Sequence, residues 1–401
     1  MCCGVRRGVL HPGMMDEIQV AVIGAGPAGS TAAEVAARIA KVVLIDKKSE
    51  IGSPVQCGGF LPEPFELERL MPRARLPETL IEIPERCILH RTRLQRIYSP
   101  SGKGKEFPVA GRVLDRRAFD RYLAGRAARA GVRVLPATRA DLNDGTLRLS
   151  GRFSGSLRPQ IIIGADGPHS IVSRAMGNPV QDLGLCLEYE MVGVKIDVDA
   201  AEMYFSADYA PGGYAWIIPM GPDTANVGVG VRASYLSGRK LPDILDRFVS
   251  EHPVAAKKLA CGEVLAVMRG LVPAGGSQGT IQKSNMLLAG DAAGHVMATS
   301  GGGIPLAMVA GRIAAEVAIR HLQDKMPLQE YQSRIREEFG IELSRSVQIR
   351  KIVDMSMKSD SLMNALFVAL NPEQMKSVMR AEIPLLLRAR ERIDDSSFRK
   401  S

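Results

Sequence analysis

Apolar positions gather early in the chain into two buried-strand runs, Ile18–Ile23 and Val42–Ile45. Between them lies an alanine-rich segment, Ser30–Ala40, that reads as a helix. Strand, helix and strand in this order form a βαβ unit, which starts a parallel sheet. Residues 87–110 alternate enough to predict antiparallel strands, with SPSGKG (99–104) as the turn. LDRRAFDRYLAGRAARAG (114–131) reads as a helix, with Asp115 as N-cap and Gly131 as the stop. IIIGADG (161–167) is another buried strand running into a turn. Residues 183–275 alternate apolar with polar between Gly/Pro turns, predicting a mostly antiparallel sheet in a second layer. NMLLAGDAAG (285–294) returns to a parallel-type strand, and from Ile304 onward the pattern is helical.

The elements do not fall into two consecutive blocks. Pieces at 16–60, 110–175 and 280–325 are expected to build one unit, and 61–109 with 180–275 the other. An extension (1–15) precedes them and a helical region (326–401) follows. The fold class is α/β with an α+β mixture: a Rossmann-type domain interleaved with an antiparallel-sheet domain. No internal repeat or low-complexity linker interrupts it.

Composition narrows the picture. The 401 residues are 46% hydrophobic and 24% charged, a globular balance. No apolar run approaches the roughly 18–20 residues that span a bilayer. The start, MCCGVRRGVLHPGMMDEIQ, lacks the apolar core of a secretory signal, and Met14 or Met15 is an alternative start. Six cysteines without CxxC spacing fit a reducing interior, and six scattered histidines without HExxH indicate no metal site. The expected location is the cytoplasm, with a peripheral seat on the inner membrane surface as an open variant. Arg86–Arg139 holds 14 Lys/Arg against Glu106, Asp115 and Asp120, a net of +11 in a chain of +9. That stretch is read either as a surface for anionic headgroups, a nucleotide or an acidic electron carrier, or as a solvated face. With aromatics at 5%, nucleic acid is set aside.

GAGPAG, with Gly24, Gly26 and Gly29, follows a predicted strand and opens a predicted helix. Gly24 permits the tight turn, Gly26 lets a pyrophosphate approach the backbone, and Gly29 lets helix and strand pack closely. The phosphates would meet the helix N-terminus. Asp46, 22 residues after Gly24 at the end of the second strand, is placed to accept from ribose hydroxyls. These features point to a dinucleotide.

Two later stretches, GADGPHSIVSRAM (164–176) and LLAGDAAGHVMATSGGGIPLAM (287–308), resemble those of flavin enzymes with the para-hydroxybenzoate hydroxylase fold. The resemblance implies FAD. It implies that Asp291 holds a ribityl hydroxyl and that Arg116, in RRAFDRYL, reaches the ribityl-phosphate region. Ala28, Cys57, Gly58, Ala140, Gly303 and Ile304 complete the implied cofactor contacts. Gly301–Gly303 ahead of an apolar helix would offer bare backbone to the N1–O2 edge of a reduced flavin.

A narrower resemblance is to geranylgeranyl reductases, above all the archaeal enzymes that saturate digeranylgeranyl glycerophospholipids. EIGSPVQCGG (50–59) resembles their cysteine-bearing loop beside the flavin. PGGYAWIIP (211–219) resembles their PxxYxWxFP signature, with Pro211, Tyr214, Trp216 and Pro219 in register. Ile218 replaces the usual phenylalanine, and Ala298 stands where a proline is usual; both departures touch substrate and chain-length preference. What the resemblance implies is a flavin-dependent saturation of isoprenoid C=C bonds. The electron donor stays open among NAD(P)H, ferredoxin and a deazaflavin.

An isolated alkene needs a hydride from reduced flavin and a proton on its other carbon, delivered in a dry pocket. Cys57 is read as that proton donor, or as a gate or contact in its glycine-rich loop. Asn285 and His295 are secondary choices. Tyr214, Trp216 (the only tryptophan) and Ile218 share one face of a strand. They are read as the wall of a prenyl tunnel or as an ordinary core stripe. In SRSVQIRKIVD (344–354), Arg350 or Lys351 is read as a headgroup anchor or as part of a solvated face, with Arg345 nearby. Short apolar helices near 361–390 would cover the tunnel or rest on a membrane. Rival readings are a flavin monooxygenase or halogenase of the same fold, and a non-enzymatic flavoprotein or lipid carrier.

Overall fold

The computed structural model describes residues 18–277 and 279–382, together with the backbone of Gly8–Val9. A six-stranded sheet runs in the order Gln282–Lys283, Met286–Leu288, Ile161–Gly164, Val20–Ile23, Val42–Ile45, Arg133–Leu135. All its neighbours are parallel except the first pair. The central strands are buried at every position, as parallel strands covered on both faces must be. Helix Pro27–Ala36 packs against helices Ile304–Asp324 and Arg116–Arg129. Small residues allow this closeness: a Cβ on Gly311 would lie 2.2 Å from the Ala28 carbonyl oxygen. Leu147, Leu149 and Leu157, from a small sheet at 138–157, join the same core.

The second sheet has eight strands: Glu263–Pro273, Leu183–Val192, Thr224–Arg232, Tyr214–Pro219, Ala200–Tyr204, Ile88–Tyr98, Gly104–Leu114, Phe60–Pro62. It is antiparallel except where Ala200–Tyr204 meets Ile88–Tyr98. The reading of 183–275 as strands and turns missed a helix, Leu241–Glu251, whose Ile244, Leu245 and Phe248 recur at helical spacing and bury one sheet face. Gly104–Leu114 runs through the boundary expected at 110, and Phe60 belongs to this sheet, not to the parallel one. The opposite sheet face looks toward the parallel-sheet half.

Asp115 caps helix Arg116–Arg129 by accepting from the Ala118 N–H at 3.0 Å, and Gly131 follows at φ +97°. At least six of the fourteen basic residues of this stretch are paired with acids from other elements. Arg91 and Arg112 meet Glu63, Arg96 meets Glu106, Asp197 and Glu202, Arg117 and Arg121 meet Glu50, and Arg126 meets Glu34. Part of its charge is thus matched across elements of the fold.

Past residue 326 the chain is helical through Pro372–Met379; residues 383–390 of the apolar segment expected at 361–390 lie outside the described residues. Among the described residues no helix is long and apolar enough to cross a membrane.

Candidate active site

The first glycine turn is built by close approach. Gly24 sits at φ +98°, and a Cβ there would lie 2.2 Å from the Ala165 carbonyl oxygen; one on Gly29 would lie 1.8 Å from that of Gly24. Around Gly26 the opposite holds, with nothing within 4 Å of an added Cβ. Gly26 is the N-cap of Pro27–Ala36, and no side chain caps that helix. Its N-terminus is therefore open to an anion. Asp46 is fixed beside this turn: Oδ2 accepts from the Ala25 N–H and Oδ1 from the Lys48 N–H, both at 2.7 Å. Ala28 is buried in the helix packing. Ala140 lies two residues beyond Thr138, whose N–H donates to the Asp46 carbonyl at 2.9 Å.

A second cluster forms where helix Ile304–Asp324 begins. Gly303 is its N-cap, again with no side-chain cap. Asp291 lies in the turn Gly290–Ala293, and a Cβ on Gly303 would lie 3.5 Å from its Oδ1. No described side chain or backbone N–H donates to the Asp291 carboxyl, and burial pushes its pKa up to about 6, against the opposing pull of Arg116. A half-buried carboxylate without a protein donor, beside an open helix end, leaves its oxygens free for a ligand hydroxyl. Arg116 is bidentate to Asp120 at 3.0 and 3.2 Å. Burial works against its charge, but Asp120 and the facing Cys57 outweigh this and raise its pKa. The Cys57 Sγ accepts from the Gly59 N–H at 3.4 Å. An open helix end, a donor-seeking carboxyl and a buried cation thus converge on one loop, and they fit the ribityl and ring portions of a flavin.

Next to this cluster opens a cavity of about 380 Å³. Its walls are the Gln56–Phe60 loop, the Met297–Ile304 loop and the inner face of the eight-stranded sheet. On that face Tyr214, Trp216 and Ile218 stand over Gly228 and Gly230 of the neighbouring strand. A Cβ on Gly228 would lie 2.4 Å from the Trp216 ring, so glycine there makes room for the indole. Tyr214 donates to the Ser300 carbonyl, tying sheet to loop. Trp216 Nε1 donates to Asn226 Oδ1 at 2.7 Å, and Asn226 Nδ2 donates to Glu188 Oε2 at 3.0 Å. Gly58 backs onto this pair: a Cβ there would lie 3.2 Å from Asn226 Oδ1 and 3.4 Å from Trp216 Nε1. Glu188 lines the cavity, and burial pushes its pKa up to about 7 while Asn226 and Arg116 oppose the shift.

Charged groups mark another part of the wall. Arg232 pairs with Asp354 at 2.8 Å, and Arg350 donates to the Ala274 carbonyl and lies 3.6 Å from Asp182. Lys376 and Arg380 also line it, with Arg380 paired to Glu66. Lys351 and Arg345 are exposed and do not line the cavity, unlike Arg350. Asn285 donates to the Gln160 carbonyl at 3.0 Å on the parallel sheet, away from the cavity. His295 is fully buried edge-on against Phe339, and burial lowers its pKa to about 3, so it stays neutral. Both secondary choices are therefore corrected to structural positions.

Sequence reasoning missed Glu188, Asn226 and Arg232. A signal was present in NVGVGVR (226–232), where valines alternate with asparagine, glycine and arginine. That pattern assigns one face to a core and leaves the other thin and polar.

Residues 182–272 match the model of the geranylgeranyl reductase catalytic domain, the stretch that carries Glu188, Tyr214, Trp216 and Asn226. The fold is similar to a geranylgeranyl bacteriochlorophyll reductase-like protein of Thermoplasma acidophilum, with TM-score 0.79, 29% identity and coverage of 92% of this chain and 96% of that one. It is also similar to a myxobacterial chondrochloren halogenase described as a variant of FAD-dependent halogenases (TM-score 0.68, 20% identity, 92% and 91% covered), a likeness of fold alone. A digeranylgeranylglycerophospholipid reductase of Methanopyrus kandleri is 35% identical over 385 residues, 91% of this chain and 93% of that protein. With such a match along nearly its whole length, a fold shared with flavin enzymes and the catalytic-domain stretch in place, the chain belongs to the digeranylgeranylglycerophospholipid reductase family.

Proposed function

We propose that this chain binds FAD along its two open helix ends and admits the prenyl chain of an isoprenoid lipid into the adjoining cavity. The activity is reductive: a flavin-dependent oxidoreductase saturates C=C bonds of geranylgeranyl chains in archaeal-type glycerophospholipids. One observation carries the reading. The apolar cavity that holds the family signature is walled by the Cys57 loop, against which Arg116 also lies.

Gly24, Gly26 and Asp46 would take the pyrophosphate and ribose, and Asp291, Arg116, Gly303 and Ile304 the ribityl chain and ring edge. When bound and reduced, the flavin supplies hydride to the alkene. The protein orients the chain along Tyr214 and Trp216, excludes water with the Gln56–Phe60 and Met297–Ile304 loops, and supplies the proton. Cys57, which lines the cavity from its loop, would meet the ring there. A featureless chain gains affinity mainly from apolar contact, so specificity rests on the polar end. Arg232, Arg350 and Lys376 would serve the headgroup phosphate. Helix Asp360–Ala369 exposes Leu362 and Val368 while burying Met363 and Phe367, and is where the protein would rest on a lipid surface.

The test is anaerobic. Purified protein is reduced with dithionite and mixed with digeranylgeranyl phospholipid. Flavin reoxidation with two hydrogens gained per double bond is expected; turnover that requires oxygen contradicts the reading. Asp291→Ala should come off purification nearly colourless, and full flavin retention would remove Asp291 from the site.

A further inference from the structure

Glu188 is placed as an acid must be, yet neither family motif contains it. It is 2% exposed, on the same sheet face as Trp216, and lines the cavity. Its two oxygens are not equivalent. An indole nitrogen can only donate, so Trp216 fixes Asn226 with Oδ1 toward the ring and Nδ2 toward Glu188 Oε2. Oε2 is thereby committed as an acceptor. Oε1 takes no hydrogen bond from the described residues, so a proton on Glu188 rests on Oε1.

We propose that Glu188 is the general acid of the reductase, its proton held on Oε1 by the Trp216–Asn226 pair and delivered to the alkene in the cavity. The inference deepens the proposed function and rests on it. In the balanced step, one alkene carbon takes the hydride that reduced flavin supplies and its neighbour takes the Oε1 proton. The O–H bond breaks, a C–H bond forms, the π bond is consumed and Glu188 is left as carboxylate. Water entering at the charged part of the cavity restores the proton between turnovers. Burial keeps the acid protonated near neutral pH, against Arg116, which faces it with its charge. The other titratable groups facing it are Cys186 on its own strand, Tyr214 on the same sheet face and Cys57 on the loop across the cavity. Burial raises the Cys186 thiol to about 12 and raises Tyr214 above its usual value, so both stay neutral there. Asn226 contributes no charge. Asn226 and Trp216 are positioning residues.

The experiment compares flavin-loaded wild type and Glu188→Gln, which keeps an acceptor for Asn226 but has no acidic proton. Infrared difference spectra, wild type minus variant, recorded against pH should show a protonated-carboxyl band lost around pH 7, which separates Glu188 from Asp291, whose pKa burial also raises. Single-turnover reduction of geranylgeranyl lipid by pre-reduced protein should fall on the order of 100-fold in the variant with flavin and lipid still bound. In wild type that rate should decline as pH rises past about 7. No such difference band, or undiminished turnover, overturns the proposal. If the variant does not fold, the wild-type pH profile of single turnover still decides it: a rate that does not decline past about pH 7 overturns the proposal. Wild type that shows the band but reduces no lipid contradicts the lipid reading, not the protonated state of Glu188.

Discussion

Strand Thr224–Arg232 turns Val227 and Val229 toward one side of the eight-stranded sheet and Asn226, Gly228 and Gly230 toward the other. The valines are fully buried against Ile244, Leu245 and Phe248. The glycines carry no side chain, and the space they leave holds the Trp216 indole and part of the cavity. One backbone thus supports a close-packed core and a hollow site on alternate residues, with nothing but side-chain size and polarity to separate them. The difference teaches where tolerance lies. On the packed face, volume decides stability; on the hollow face, volume decides whether substrate enters.

The largest effect should come from filling the hollow face. Gly228→Val puts methyl groups where the indole lies, so Trp216 must move into the cavity. Turnover should drop at least on the order of 100-fold, with an overpacking cost of about 1–3 kcal/mol in urea unfolding. Near-normal turnover would mean that the cavity is not where the lipid lies.

Next is the pH dependence of stability on the same face. The pKa of Glu188 is about 7 in the fold against 4.5 for the free side chain. Between those values the native protein holds a proton that the unfolded chain has released, so stability falls as pH rises through that window and levels above it. Removing the titration with Glu188→Gln should improve stability relative to wild type by up to about 3 kcal/mol on going from about pH 5 to about pH 8. Parallel pH curves for the two proteins in urea would contradict the buried-acid assignment.

The smallest effect belongs to the packed face. Val229→Ala should cost about 1–3 kcal/mol of stability while leaving the turnover of folded, flavin-loaded protein within about twofold. A catalytic loss without a stability loss would mean that the two faces are not separable.

Legibility in the sequence followed the same division between local and non-local. GAGPAG with Asp46, the Asp115 cap and the Gly131 stop are short-range devices, and each takes the local geometry that its residue types require. The signature strand was readable by its alternation. Glu188 was not, because only the pairing of three strands brings it to Trp216, 28 residues later, through an asparagine a further 10 residues on. The basic stretch misled for the same reason. Arg96 and Glu202 are separated by 106 residues, and no local count of charge reveals their ion pair. The helix Leu241–Glu251 was hidden by the proline and glycine residues around it, which read equally well as turns between strands.

The central claim, that the glycine-backed face of the sheet is the surface on which the lipid chain lies, is tested most directly by photolabelling. A geranylgeranyl phospholipid carrying a diazirine near the chain terminus would be irradiated on the flavin-loaded protein and the adducts mapped by mass spectrometry. The account predicts adducts on Tyr214–Ile218, Gly230 and the Gln56–Phe60 loop, suppressed by unlabelled lipid. Adducts confined to Leu362 and Val368 on the outer helix, with none on the sheet face, would contradict it.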